Sequence, residues 1–343
     1  MDISNTKIGS SRNFRKKLIH DKLKFYLTPY DHSHNTFASI VKNGLTSRHK
    51  FLLPRYFYDE KGSKLFEQIS EQPEYYLTRI EASILQSSSI EITNMCNRGL
   101  LVELGSGNSR KTRIILDAFL SNQVSLQYFP IDISYEMLKE SAETLLDEYQ
   151  NLSITAIVAE YYKGMTIIKK DIHSRKVVIF LGSSLGNFDP AEAKKFIQMM
   201  RNCTQDQDMF LIGVDMHKDD SVLNAAYNDS CGVTAQFNLN ILTRINRELK
   251  GEFNPRKFGH TAFYNESKKR VEMHLVSKVE QEVNIVGIRE TIGFKKGESI
   301  HTESSYKFTC EQIESMIEES FQVVKTWTDS KKWYSVILLT PVK

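Results

Sequence analysis

The sequence predicts an α/β fold, a doubly wound parallel sheet with a second α+β domain inserted into it, and three observations carry that prediction. The stretch Leu100 to Arg110 (LLVELGSGNSR) is a short apolar run holding one acid and closed by two glycines. Apolar runs of strand length then alternate with helical patterns as far as Met209 to Val214. Between that run and two final strand-like segments lies a long stretch of different periodicity, which a doubly wound sheet does not require.

At the N-terminus, Lys7, Arg12, Arg15, Lys16 and Lys17 have no apolar run behind them, so residues 1–20 read as a loose basic tail and not as a secretory signal. From Lys22 to Thr78 aromatic residues crowd among charges, as in PRYFYDEKGSKLFEQISEQPEYYLTR. The ordinary fate of Tyr56, Phe57, Tyr58, Phe66, Tyr75 and Tyr76 is the core. A turn at Asp59 to Ser63 around Gly62, and Pro73-Glu74 ending a helix over Lys64 to Ser70, instead put the tyrosines on loops and element ends. Binding residues concentrate there.

Leu100 to Leu104 reads as a buried parallel strand, Gly105 and Gly107 as a sharp turn that can approach a ligand without a Cβ, and Lys111 to Phe119 as a helix. A pyrophosphate loop wants a third glycine where Arg110 stands, which weakens a dinucleotide reading. Glu103-x-Gly-x-Gly instead resembles the first motif of the Rossmann-like S-adenosylmethionine methyltransferases, although glycine turns of purely structural use are common. Leu126 to Ile133 is the next strand. Asp132, near its carboxyl end, can accept from both hydroxyls of a ribose, while Ser134 caps the helix that follows.

Ile154 to Glu160 and Val177 to Leu181 are the third and fourth strands. The fourth runs into GSSLGNFDP and a helix over Ala191 to Arg201, with Asn187 where the strand ends; an asparagine there also suits turn formation alone. Met209 to Val214 is the fifth strand. A helical segment (Ser221 to Leu249), a loop with Pro255 and Gly259, and a half-buried antiparallel strand (Lys269 to Val279) follow. In the extended run His301 to Phe308, alternation turns Glu303 and Ser305 to one side; a solvated strand face is the common fate of such residues. Phe321 to Thr328 and Tyr334 to Thr340 flank the turn DSKKW as an antiparallel hairpin at the sheet edge. The division expected is a tail (1–20), a discontinuous substrate-recognition domain (21–79 and 216–307) and a cofactor-binding domain (80–215 and 308–343).

Composition narrows the function. At 343 residues, 41% hydrophobic and 25% charged, the chain has ordinary globular proportions. Forty-five bases against 42 acids give +3, too balanced for a strong field toward nucleic acid or a membrane surface. No segment is long and apolar enough to span a bilayer. Cys96, Cys203, Cys231 and Cys310 lie far apart, without metal-ligand spacing or a disulfide framework. A cytoplasmic monomer acting on a small molecule, with no metal, is expected.

The run from Pro54 to Leu85, with FYDEKGSKLFEQI, PEYY, TR and E-x-x-I-L, resembles the N-terminal signature of the histidine-specific, S-adenosylmethionine-dependent methyltransferases of ergothioneine biosynthesis. The likeness continues through ELGSGNSRKT, PIDIS, FLGSSLGNF, AYNDSCGVTAQFN and HTESSYKF, nearly the whole chain from about residue 22. It implies a class I methyltransferase sheet with S-adenosyl-L-methionine held by Gly105, Asp132, the adenine-contacting pair Glu160-Tyr161 and, at its carboxylate, Lys111. Glu160 departs from the family's usual Asp by one methylene.

For the substrate, the resemblance implies Tyr75, Asn187 and Tyr227 on the amino-acid backbone, Tyr58 and Phe66 bordering the amine, Met273 walling the side-chain pocket, and Glu303, Ser304 and Ser305 at the imidazole, with Tyr58 and Asn187 closest to the chemistry. The implied reaction is Nα-trimethylation of L-histidine to hercynine. The alternatives are N-methylation of another amino acid or of a thiolated histidine, as in ovothiol synthesis, or a methyltransferase-like protein that binds without turnover.

Overall fold

A strand covered on both faces is apolar along most of its length, and the runs picked out by that rule form the centre of the protein. In the computed structural model, which describes residues 15–27, 37–107 and 110–343, they are β3 (Leu100–Leu104), β4 (Leu126–Asp132), β5 (Leu152–Val158), β6 (Lys176–Phe180) and β7 (Met209–Asp215). Lys7 and Arg12 of the expected tail, and Asn108 and Ser109 of the glycine loop, lie outside the described residues. The connecting helices are α4 (Arg110–Asn122), α5 (Tyr135–Glu148), α6 (Tyr161–Asp171) and α7 (Pro190–Cys203). Ser134 caps α5, its hydroxyl accepting from Met137 N at 3.4 Å.

Four strands complete this sheet: β1 (Arg15–His20), β2 (Leu23–Leu27), β13 (Phe321–Thr328) and β14 (Tyr334–Pro341). The order is β1-β2-β5-β4-β3-β6-β7-β14-β13, parallel from β2 to β7, with β14 antiparallel to β7. The C-terminal hairpin therefore supplies one inner and one edge strand. Asp329 makes its turn, accepting from the backbone N–H of Trp333 (2.8 Å) and Tyr334 (2.9 Å).

The N-terminal boundary needs correction. Residues 15–20 form β1, and β2 pairs with β5 from Leu23↔Ile154 to Leu27↔Val158, so residues 21–27 belong to the large sheet. Leu23 and Phe25 are wholly buried there, and this apolar burial overrides the basic character of the segment.

The remaining elements are α1 (Phe37–Thr46), α2 (Glu60–Glu71), α3 (Tyr76–Cys96), α8 (Asp220–Ala226), α9 (Val233–Leu249), β8 (Phe258–Asn265), β9 (Arg270–Ser277), β10 (Gln281–Ile285), β11 (Glu290–Phe294), β12 (Ser299–Tyr306) and α10 (Cys310–Ile317). Strands β12-β9-β8 form an antiparallel sheet, and β10 pairs with β11. Apolar side chains between Val41 and Leu77 and between Leu223 and Ile300 share one buried cluster. Helix α3 joins that cluster at Tyr76 and Leu77 and the large sheet at Ile84, Leu85 and Ile92.

Two local readings shift. The DEKGS stretch is the start of α2, because the Asp59 carboxylate accepts from Gly62 N at 2.8 Å as an N-cap. The helical segment from Ser221 breaks between Ala226 and Val233, with Tyr227 as the C-cap of α8 and Gly232 left-handed (φ 70°) before α9. No helix among the described residues is long and apolar enough to cross a membrane.

Candidate active site

Strand order reverses between β3 and β6, and open α/β sheets bind ligands outside the carboxyl ends of the strands at such a point. Gly105 leaves β3 with φ 73°, and a Cβ on it would sit 2.9 Å from the Tyr161 hydroxyl. A Cβ on Gly107 (φ 50°) would meet nothing within 4 Å among the described residues. At the end of β4, Asp132 accepts from Ser134 N (3.0 Å), with further backbone bonds from Gly107 and Ile133; burial nevertheless raises its pKa. An open, glycine-lined turn facing an acid fits the ribose end of S-adenosylmethionine. Glu103 serves the sheet itself: it accepts from Thr112 Oγ1 (2.9 and 3.0 Å) and the Tyr128 hydroxyl, and burial pushes it up to about 7.

Three residues expected at the cofactor have protein partners that the sequence did not suggest. Lys111 ion-pairs with Glu81, a buried acid of α3 that also accepts from Gly182 N and the Tyr334 hydroxyl, both at 2.7 Å. Glu160 is the N-cap residue of α6 and pairs with Arg55 at 2.8 Å. Tyr161 sets its ring edge-on against Phe180, with centroids 5.4 Å apart.

On the other side, a line of aromatic rings leads inward. Tyr58 meets Phe66 at 5.5 Å, Phe66 meets Tyr75 at 6.1 Å and Tyr75 meets Tyr227 at 6.4 Å, all edge-on. Phe237 of α9, absent from the sequence reading, touches both Tyr58 (5.6 Å) and Phe66 (6.0 Å). Tyr58 is 37% exposed, yet desolvation of its hydroxyl, then Glu303, Tyr75, Tyr161 and Tyr227, raise that hydroxyl well above the ordinary range. Tyrosines of the cofactor side and of the inserted segment thus face one another.

Strand β12 runs beside β9 with Glu303 opposite Met273 and Ser305 opposite Val271, so Glu303, Ser305 and the buried Met273 share a face. Burial pushes Glu303 up to about 7, against a lowering by Lys307. Among the described residues, none donates a hydrogen bond to its carboxylate. Asn187 ends a 3-10 turn (Ser184–Asn187), is exposed and is likewise unbonded among the described residues. Its neighbour Gly186 lies against β12, where an added Cβ would come within 2.8 Å of Tyr306 O.

Ser304 is a correction. Its partner in the sheet is Glu272, on the face opposite Glu303, and its hydroxyl lies 3.1 Å from His301 Nε2. The potential ligand atoms of Glu272, His274 and His301 cluster there within 4.8 Å of one another. Burial would raise Glu272, but Arg270 (2.7 and 2.9 Å), His274 (3.0 Å) and Lys268 (3.3 Å) outweigh it and hold the acid down at about 2, so these partners account for it.

A buried polar group beneath the aromatic line was also missed. Asp215, at the end of β7, accepts from the Tyr76 hydroxyl at 2.9 Å and pairs with Lys218 and, at 2.7 Å, Lys307. Burial lowers Lys218 to about 8, with Asp215 opposing and Lys307 adding to the fall. The alternation that singles out Glu303 and Ser305 continues to Lys307 and is the one signal that could have found it.

A doubly wound sheet ending in an antiparallel hairpin, with a two-glycine turn facing an acid, defines a Rossmann-like methyltransferase. Residues 37–341 match the family described as histidine-specific methyltransferase, SAM-dependent. The chain is 37% identical to histidine N-alpha-methyltransferase of Mycobacterium tuberculosis, over 87% of this chain and 93% of that protein. It is 38% identical to the Mycolicibacterium smegmatis protein of the same name, over 84% and 90%. A 4-dimethylallyltryptophan N-methyltransferase of Claviceps purpurea is 24% identical, over 84% and 90%. This chain belongs to the S-adenosylmethionine-dependent, histidine-specific methyltransferase family.

Proposed function

We propose that this protein methylates the α-amine of L-histidine three times, giving hercynine, the first step of ergothioneine biosynthesis. The observation that carries the reading is the Glu303 carboxylate, unbonded among the described residues and set on one strand face with Ser305 and Met273 beside an aromatic wall. A carboxylate accepting one ring N–H, with a hydroxyl serving the other nitrogen, separates imidazole from phenyl or alkyl side chains.

S-adenosylmethionine, when bound, supplies a sulfonium methyl that is already a good electrophile. The Gly105 turn and Asp132 would hold its ribose, Glu160 and Tyr161 its adenine, and Lys111, keeping Glu81, would offer a remaining N–H to its carboxylate. Tyr75, Asn187 and Tyr227 would hold the amino-acid backbone, with Tyr58 and Phe66 beside the amine. Because the nucleophile is an unprotonated amine, the protein's task is alignment, worth up to ~7–11 kcal/mol in well-oriented cases. The Tyr58 hydroxyl, kept neutral by desolvation at its oxygen and by Glu303, would orient the amine by hydrogen bonding, and the amine's proton would go to water. Aromatic faces at Tyr58, Phe66 and Tyr75 would attract the growing ammonium.

Mass spectrometry of the protein incubated with S-adenosylmethionine and each of the twenty amino acids tests this. Three added methyl groups on histidine alone are expected. Methylation of another amino acid would overturn the reading of Glu303, and no methylation at all would turn attention to a thiolated histidine or to binding without turnover.

A further inference from the structure

The side chain of Lys307 is fully buried, and an ammonium without water is tolerated only where its donors are met. It has three N–H bonds to give, and three acceptors surround it: Asp215 Oδ2 at 2.7 Å, the Tyr227 hydroxyl at 3.0 Å and Ser305 Oγ at 2.8 Å. The Tyr227 hydroxyl in turn donates a hydrogen bond to Ser305 Oγ at 2.8 Å. The serine oxygen therefore accepts two hydrogen bonds, and a hydroxyl has two lone pairs and one proton. Both lone pairs are taken, and only the proton is left for a ligand.

Lys307 has no freedom to relax this arrangement. Asp215 is also held by the Tyr76 hydroxyl at the start of α3 and by Lys218, three residues on in the connection after β7, and Tyr227 is fixed as the C-cap of α8. On the same strand face Glu303, when ionised, can only accept. The site thus presents a fixed donor and a fixed acceptor two residues apart.

We propose that Lys307 is a positioning residue that makes Ser305 an obligate donor, so that Ser305 and Glu303 together select a ring carrying N–H on one side and an unprotonated nitrogen on the other, the neutral imidazole. An imidazolium would aim a second N–H at the serine proton, and a guanidinium or ammonium would do the same. This inference rests on histidine being the substrate and adds which protonation state is taken and what enforces it.

The test is a double-mutant cycle with Lys307→Met and Ser305→Ala, singly and together, reading kcat, KM for histidine and the Kd of S-adenosylmethionine. Lys307→Met is expected to raise KM about tenfold or more while kcat and cofactor Kd stay within about threefold, the scale of a buried polar group left unpaired. If Lys307 acts through Ser305, the double variant is no worse than the poorer single variant within about threefold. An unchanged KM in Lys307→Met, or effects that multiply in full, would overturn the role. Should Lys307→Met fail to fold, the unaltered enzyme decides with an alanine bearing a pyrrole ring, which keeps one N–H and replaces the other nitrogen by C–H. A loss of about tenfold or more in kcat/KM against histidine is expected, and equal use overturns the obligate donor. An unaltered enzyme that never methylates histidine overturns the substrate reading, and this inference with it, before any variant is compared.

Discussion

At the scale of single residues, the pocket is a set of polar groups whose protonation and direction are decided by what lies behind them. Glu303 illustrates the sign. Burial raises its carboxyl to about 7, so below that pH it takes up a proton and can no longer accept an imidazole N–H as an anion. The kcat/KM for histidine is expected to fall as pH drops through about 7, and Glu303→Gln to lose that break. The substrate amine must be unprotonated in both enzymes, so comparing the two profiles isolates Glu303; coincident profiles would remove it from ring recognition. Glu303→Ala is expected to lower kcat/KM by roughly 2 kcal/mol, the scale of a charged hydrogen bond at a buried site, with the cofactor Kd nearly unchanged in a titration calorimeter. Period-two alternation was enough to pair Glu303 with Ser305, and the same rule, shifted by one residue, shows why Ser304 faces away. The alternation reaches Lys307 as well, but its pairing with Asp215, and the partners of Asp215 and Glu81, were not legible, because they lie far along the chain: Tyr76 and Asp215 are 139 positions apart.

At the scale of elements, local rules and long-range partners meet at the termini. The parallel strands were readable because burial on both faces makes most of their positions apolar, whereas β1 and β2 were hidden by Lys16, Lys17, Lys22 and Lys24 around a short apolar core. The start of α2 was misread for a different reason. Asp59 caps it through Gly62 N (2.8 Å) and simultaneously binds Asn240 (2.8 Å) and Arg247 (2.7 Å) of α9. Burial alone would raise the Asp59 pKa; the bonds from Gly62, Arg247 and Asn240 outweigh it and leave the pKa lowered. A depressed acid contributes stability above its unfolded pKa and loses it as pH falls through the folded one. Asp59→Ala is expected to lower stability by about 1–2 kcal/mol in urea unfolding at neutral pH, with a smaller difference in acid. The glycine turn gives a second element-scale prediction. Gly105→Ala places a side chain at φ 73° against the Tyr161 hydroxyl, a strain of about 1–2 kcal/mol, and is expected to raise the cofactor Kd about tenfold. Unchanged affinity would mean that the turn does not meet the cofactor.

At the scale of the whole molecule, the large sheet would end at β5 if β2 were absent. Residues 1–20 read as a loose basic tail in sequence, and their described part, residues 15–20, is the edge strand β1 in structure. Leu23 and Phe25 are wholly buried against the cluster that holds Ile154, Ala156 and Tyr128, and burying two such side chains is worth about 3–6 kcal/mol before the entropy of ordering the strand is set against it. Removing residues 1–27 would uncover that apolar surface and leave the backbone groups of β5, now paired with β2, free to bond another chain. The truncated protein is expected to melt about 5 °C or more below the full chain and to form larger species in size-exclusion chromatography. The glycine turn and Asp132 lie on β3 and β4, further into the sheet, so the fraction that remains monomeric should bind S-adenosylmethionine with a Kd close to that of the full chain. An unaltered melting temperature would show that β1 and β2 add nothing to the sheet. A lost cofactor site in folded monomer would show instead that the added edge helps to hold the carboxyl ends of the inner strands in register.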